Sequence, residues 1–432
     1  MPAACTPVQP AEKPAEKPAE KSAVQPAGQS ADQPVGQPAV RDPRQWVTLS
    51  GCKKVLVVVH TVVYGQRLQE VIVLLRADLR IRVVFTVAPH AFNAGAHAFL
   101  ASLGGAVLPW DLAVGMEFDL VLAAGSQGLE QLSGPIVRMP HGAGHMKLSR
   151  PHDGKERSVG GLGRDYLTWQ GKLMPQVIAL AHRDDVDELE RWCPEAVPVA
   201  RVVGDASYDR ITEGLGLRAA YRESLGLASG EQLVLVCSTW GTGSSFNRLD
   251  ALLPRIAAEL PADRYRTAVL VHPNVWALHG AWQVRSWVAG TAPGVALVPP
   301  CDDWRPLLIA ADLVIGDHGS VTLYASMVGV PILVARYPHQ DVNPRSPGAR
   351  LAWTAPALMP GRPLADQLAY AIEQHRPEDY AGIAAGISSE PGRFNRNMRK
   401  LLYQVIGLGR PAYEIPIEPP MPPARLTGSL LR

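Results

Sequence analysis

Residues 316–320 read Gly-Asp-His-Gly-Ser, which sets a carboxylate and an imidazole between two glycines and a hydroxyl directly after them. They separate the apolar runs 313–315 and 331–335, and residues 320–328 place Leu323, Tyr324 and Met327 at helical spacing. Apolar runs without alternation suit strands covered on both faces, so the pattern is strand, turn, helix, strand. Asp317, His318, Gly319 and Ser320 then fall where a strand ends and a helix begins. The first amides of a helix lack intrahelical partners and the helix dipole is positive there, so the turn suits an anion. Gly319 would admit it close to the backbone, and Ser320 would donate its hydroxyl. A plain helix cap with a turn glycine accounts for the same residues.

Three further loops carry groups of this kind. Residues 141–145, His-Gly-Ala-Gly-His, space two histidines four apart as a metal pair would be, but two glycines argue against a helix and no glutamate follows His141. The reading adopted is a flexible loop without metal, in which Gly142 lets His141 approach a ligand and Lys147 follows as a phosphate partner, the alternative being a structural histidine in a glycine turn. His272 ends the apolar run 267–271 and precedes Pro273, which fixes the exit of the chain. It is either a hydrogen bonder at the core edge or a group acting on a ligand, since imidazole titrates near neutrality. Residues 238–246, Ser-Thr-Trp-Gly-Thr-Gly-Ser-Ser-Phe, follow an apolar run and begin with Ser238 and Thr239. They lack the Walker A lysine and the G-x-G-x-x-G spacing, so a phosphate cradle and a surface loop fit equally.

Such loops need a core to hold them, and 432 residues that are 47% hydrophobic suffice for two cores of ordinary domain size. Residues 1–45, with the repeat AEKPAEKPAEK, almost lack large apolar side chains and are expected to form a disordered tail. From Lys53 short apolar runs alternate with helical patterns, pause in a polar stretch between Asp205 and Gly230, and then restart. This predicts two tandem doubly wound α/β domains, 46–210 and 211–410, with a Pro-rich tail at 411–432. Ligands of such sheets bind at the carboxyl ends of the strands, so the cleft between the domains is where all four loops would gather. Near the end, 393–406 is a basic amphipathic helix whose stripe of Phe394, Met398, Leu401, Leu402 and Val405 is expected to pack on the protein rather than on an anionic membrane.

A formal charge of +2 over this length gives no reason to expect nucleic acid. Five scattered cysteines without a C-x-x-C pair suggest a reducing compartment, and no signal-peptide core or membrane-length apolar run is present. A cytoplasmic protein is expected.

In order along the chain, "VRMPHGAGHMK", "VVGDASYDRI", "CSTW", "VLVHP" and "VIGDHGSVTLYASMVGVPIL" resemble the motifs of the CDP-glycerol glycerophosphotransferase family. The likeness runs from Lys53 to Ile406. It implies a GT-B fold of two Rossmann-like domains and an enzyme that builds teichoic-acid-type polymers on lipid-linked acceptors. By this resemblance His141 and Gly142 match the family's His-Gly-Thr, His272 and Pro273 its His-Pro, and Asp317 and Ser320 its Asp-x-Ser-Ser turn. Ala143 stands in place of the threonine, Gly319 in place of the first serine, and the usual Pro-Arg before Asp209 is absent.

The resemblance implies an inverting transferase needing neither metal nor cofactor. Its partners would be a nucleotide-diphosphate donor, CDP-glycerol or a nucleotide sugar, in the second domain, and a lipid-linked acceptor at the inner face of the membrane in the first. His141 would be the general base, with His272 and the Ser320 helix end stabilising the leaving pyrophosphate. Gly142, Lys147, Ser238, Thr239, Asp317, His318 and Gly319 would hold the donor, and Asp209 would serve the acceptor or a hinge. A UDP-sugar 2-epimerase, an ordinary glycosyltransferase or a non-catalytic nucleotide-diphosphate binder could use the same turn.

Overall fold

Successive residues of the first apolar run go to opposite faces of a sheet: Val55, Val57 and Val59 join one core cluster and Leu56 and Val58 another. The restarted run behaves alike, with Val234 and Val236 on one side and Leu233, Leu235 and Cys237 on the other. Period-two geometry with both faces apolar leaves such strands nowhere to lie except inside a sheet covered twice. The computed structural model describes residues 49–149, 157–292 and 294–426, and Gly51–Arg432 form one compact unit. The expected disordered tail, 1–45, lies outside the described residues.

The strands are β1 (Lys53–Val59), β2 (Ile81–Val87), β3 (Val107–Leu108), β4 (Leu120–Ala123), β5 (Ile136–Arg138), β6 (Thr168–Trp169), β7 (Lys172–Leu173), β8 (Val177–Leu180), β9 (Ala200–Val202), β10 (Gln232–Ser238), β11 (Tyr265–Val271), β12 (Ala296–Leu297), β13 (Leu313–Gly316) and β14 (Ile332–Val334). Seven form a parallel sheet ordered β3-β2-β1-β4-β5-β8-β9, and five form a second parallel sheet ordered β12-β11-β10-β13-β14. In register, Val57 lies between Phe85 and Leu122, and Val236 lies between Val269 and Ile315.

Two features join the halves. The helix Phe394–Ile406, which follows the second sheet in sequence, returns to the first, where Phe394, Met398, Leu401 and Leu402 enter the same cluster as Val55. Its apolar stripe is thus spent on the protein. Behind the cleft, Arg67 pairs with Asp205, Tyr324 Oη donates to Asp205 Oδ1 at 2.9 Å, and Arg305 pairs with Glu70. Arg67, Glu70, Asp205 and Tyr324 are buried, and removing a charged partner among them would strand a charge at a cost of about 3–5 kcal/mol. Residues 411–426 have no regular structure but are fastened, with Tyr221 Oη donating to Pro420 O at 2.6 Å and Leu426 N to Leu225 O at 3.1 Å.

Candidate active site

Each sheet reverses strand order beside its first strand, between β1 and β4 and between β10 and β13. Strand ends diverge at such reversals and leave a crevice. His60 and Ala124 follow β1 and β4, while Thr239 and Asp317 lie just past β10 and β13.

In the second half the polar groups are largely engaged with one another. Buried Asp317 accepts backbone N–H bonds from Thr239 (3.0 Å), Ser245 (2.8 Å) and Gly319 (3.0 Å). Burial pushes its carboxyl pKa up, and those N–H groups, with the charge of Lys147, oppose the rise. Ser238 Oγ accepts from Phe246 N at 2.7 Å and donates to Thr239 O at 3.0 Å. Asp317 and Ser238, both expected to hold the donor, therefore shape the loop 238–246. Gly319 is small for a different reason than expected: a Cβ there would lie 3.1 Å from Asp317 Oδ1 and 3.2 Å from Thr239 Cβ, so the protein itself fills the space.

Ser320 does not cap its helix. Gly319 is the N-cap of the short helix Ser320–Tyr324, and Ser320 Oγ accepts the Ala143 N–H at 3.2 Å from the other half. A Cβ on Gly142 would fall 2.5 Å from that Oγ, so only glycine permits the approach. The loop 141–147, expected to be flexible, is pinned. Leu148 N donates to Asp341 O at 3.0 Å and Asn343 N to Met146 O at 2.7 Å, an antiparallel bridge between the halves.

In the first half, His141 packs on Tyr64 with ring centroids 4.4 Å apart. The ring keeps surface open to the cleft although protein surrounds it at longer range. Loss of bulk water, followed by the charges of Arg138 and Lys147, holds its pKa below the ordinary value. His272 Nδ1 accepts the Asn274 N–H at 3.1 Å and so caps the helix Pro273–His279, which puts its proton on Nε2. Burial and then Lys147 keep it well below its usual pKa, making it a neutral N–H donor.

Lys147 joins these parts. Its Nζ donates to Thr239 Oγ1 at 3.3 Å and lies 4.8 Å from the centre of the Trp240 ring. Burial lowers its pKa to about 8, while Asp317 opposes the shift. Its charge also depresses His141, His272 and His318, the last pushed to about 3 chiefly by burial. His318 Nδ1 is buried and has no hydrogen-bond partner among the described residues.

The structure thus brings together His141, Gly142, Lys147, Ser238, Thr239, His272, Asp317, His318, Gly319 and Ser320. Asp209 is engaged elsewhere, accepting the N–H groups of Gly392 (2.7 Å) and Phe394 (2.9 Å) where the return helix begins. Among the described residues no group of three or more His, Cys, Asp or Glu side chains could hold a metal ion, and no helix is long and apolar enough to cross a membrane.

Sequence reasoning missed His60, Tyr64, His90, Phe92 and Arg138. His60 Nε2 donates to Gln127 O at 2.8 Å, and burial lowers its pKa to about 4. Phe92 meets Trp240 across the cleft at 5.1 Å between ring centroids. The argument applied to His272, a histidine ending an apolar strand, would have found His60 after β1.

No family model matches the chain, and no curated protein sequence does. Solved structures match it in fold. One is a single-residue variant of the wall teichoic acid polymerase TagF, similar over 83% of this chain and 90% of its own at 12% identity, with a TM-score of 0.54. Another TagF structure, soaked with CDPG, matches over 82% and 88% at 13% identity, with a TM-score of 0.51. A UDP-GlcNAc 2-epimerase from Neisseria meningitidis is more distant, covering 82% and 99% at 16% identity with a TM-score of 0.47. The likeness to TagF is one of fold. The chain has the GT-B arrangement that its motifs implied, two parallel α/β sheets.

Proposed function

We propose that the protein is a transferase that moves a glycerophosphate or glycosyl group from a nucleotide-diphosphate donor to a hydroxyl of a cell-envelope or lipid-linked acceptor. The observation that carries this reading is the place of Lys147, an ammonium set against the Thr239 loop, with a neutral imidazole acceptor at His141 and a neutral N–H donor at His272 nearby. The TagF likeness supplies the fold and suggests the donor class.

In this mechanism His141, neutral near pH 7, takes the proton of the acceptor hydroxyl on a ring nitrogen. The acceptor oxygen bonds to the transferred phosphorus or anomeric carbon, and the bond from that atom to the nucleotide's phosphate oxygen breaks with its electron pair. Lys147, His272 Nε2–H and the Ser320 hydroxyl stabilise the departing anion. A lipid-linked acceptor would bring the protein to the inner face of the membrane.

Thermal unfolding with CDP-glycerol and with UDP-, GDP- and dTDP-linked sugars tests the donor. At least one should raise Tm in the native chain and not in Lys147→Gln, and no shift with any of them would overturn the reading. Release of an epimerised donor without acceptor would replace transferase by epimerase.

A further inference from the structure

We propose that Trp240 is a positioning residue for Lys147, whose ammonium it holds on its ring face where the two halves meet. Lys147 comes from the loop of the first half and Trp240 from the loop after β10. The Nζ stands 4.8 Å from the ring centre, and its one hydrogen bond among the described residues goes to Thr239 Oγ1 at 3.3 Å. Asp317 is the acid that opposes the lowering of the Lys147 pKa, yet its oxygens already accept three backbone N–H groups, and no ion pair joins it to Lys147 among the described residues. A single neutral hydroxyl is a weak restraint on a long side chain that loses rotamer freedom when fixed. An indole face attracts the cation and covers its methylene stem without tying up its N–H donors.

Trp240 is itself held. Phe92 of the first half meets it at 5.1 Å with the rings 58° apart, and His272 lies 6.3 Å away. The indole is therefore held by Phe92 of the opposite half and flanked by His272 of its own, so the lysine on its face is kept in the cleft before any ligand arrives. An arriving phosphate then meets a cation whose ordering cost has been met in advance. That consequence rests on the donor reading above, whereas the placement of Lys147 does not.

Two measurements separate the ideas. With lysine labelled at Cε and Lys147 assigned through Lys147→Arg, its methylene resonance in the ligand-free protein should lie upfield of the other lysines through the Trp240 ring current. Trp240→Leu should abolish that displacement and Trp240→Phe should keep part of it. A Lys147 resonance among the others, or one indifferent to Trp240→Leu, overturns the proposal whether or not the protein binds nucleotides.

Calorimetry with CDP supplies the second. Trp240→Leu should weaken binding roughly two- to thirty-fold, the range of a cation–π contact. Trp240→Leu added to Lys147→Gln should cost nothing further, because the ring acts through the lysine. Additive losses in the double variant would overturn the proposal and make Trp240 a packing residue or a direct ligand contact. A native protein that binds no CDP would count against the CDP donor alone, with the lysine resonance still deciding the role of Trp240.

Discussion

At the edge of the second sheet a carboxylate organises the loops: Asp317 gathers the N–H groups of Thr239, Ser245 and Gly319, and Ser238 locks Phe246. At the edge of the first sheet the lining is aromatic, with His60, Tyr64, His90 and His141 in ring contact and buried Arg138 behind them. A loop braced by an internal acid can present its remaining donors to an anion without rearranging. A wall of imidazoles kept neutral by burial and by nearby cations can accept a proton from an uncharged group. On the proposed function the contrast would divide the work between donor and acceptor, and each prediction below attacks one side of it.

The largest effect is expected at His141. His141→Ala should lower turnover about 10²–10⁴-fold while donor affinity, measured by calorimetry, stays within a few fold. Equal losses in both would move His141 to the donor side and erase the contrast.

Asp317→Ala should come next. It leaves three buried N–H groups without their acceptor and should cost about 3–5 kcal/mol of stability in urea unfolding, together with donor binding. Tyr64→Phe, on the aromatic side, should change stability far less. A reversed ranking would show that the second loop is not built around its acid.

Ser320→Ala removes the acceptor of the Ala143 N–H and a hydroxyl facing the cleft, and should weaken donor binding by about 0.5–3 kcal/mol. Gly142→Val should do more, because its side chain would strike Ser320 Oγ. Unchanged calorimetric affinity in both folded variants would remove the turn from the donor site.

The smallest effects concern pH. Burial raises the Asp209 carboxyl from 3.8 to about 6, so the stability of its neutral form is complete below 3.8 and is lost as pH rises through about 6. Burial lowers His60 from 6.5 to about 4, so its contribution is complete above 6.5 and is lost as pH falls toward about 4. The two slopes oppose each other. Urea midpoints across this window should rise more steeply with pH in Asp209→Asn and less steeply in His60→Gln, and parallel curves for all three proteins would refute both assignments.

The sequence by itself determined the strands and their parallel packing, because apolar runs without alternation can be satisfied only under cover on both faces. It also determined that 141–147, 238–246, His272 and 316–320 follow strands, since glycine, proline and hydroxyl residues break the apolar pattern there. Which of these groups brace one another was decided only in three dimensions. Asp317 reads as part of a ligand-binding turn at the end of a strand, yet it accepts from amides 72 to 78 residues away. The Ser320–Ala143 bond spans 177 positions, and the Lys147–Thr239 contact spans 92. The helix at 394–406 showed its stripe in sequence but not the sheet that would cover it, because an apolar face specifies burial and not a partner. Periodicity records what each segment must bury. The pairing of segments depends on which distant surfaces fit once the chain has closed on itself, and that selection made a candidate site from loops with no local sign of one another.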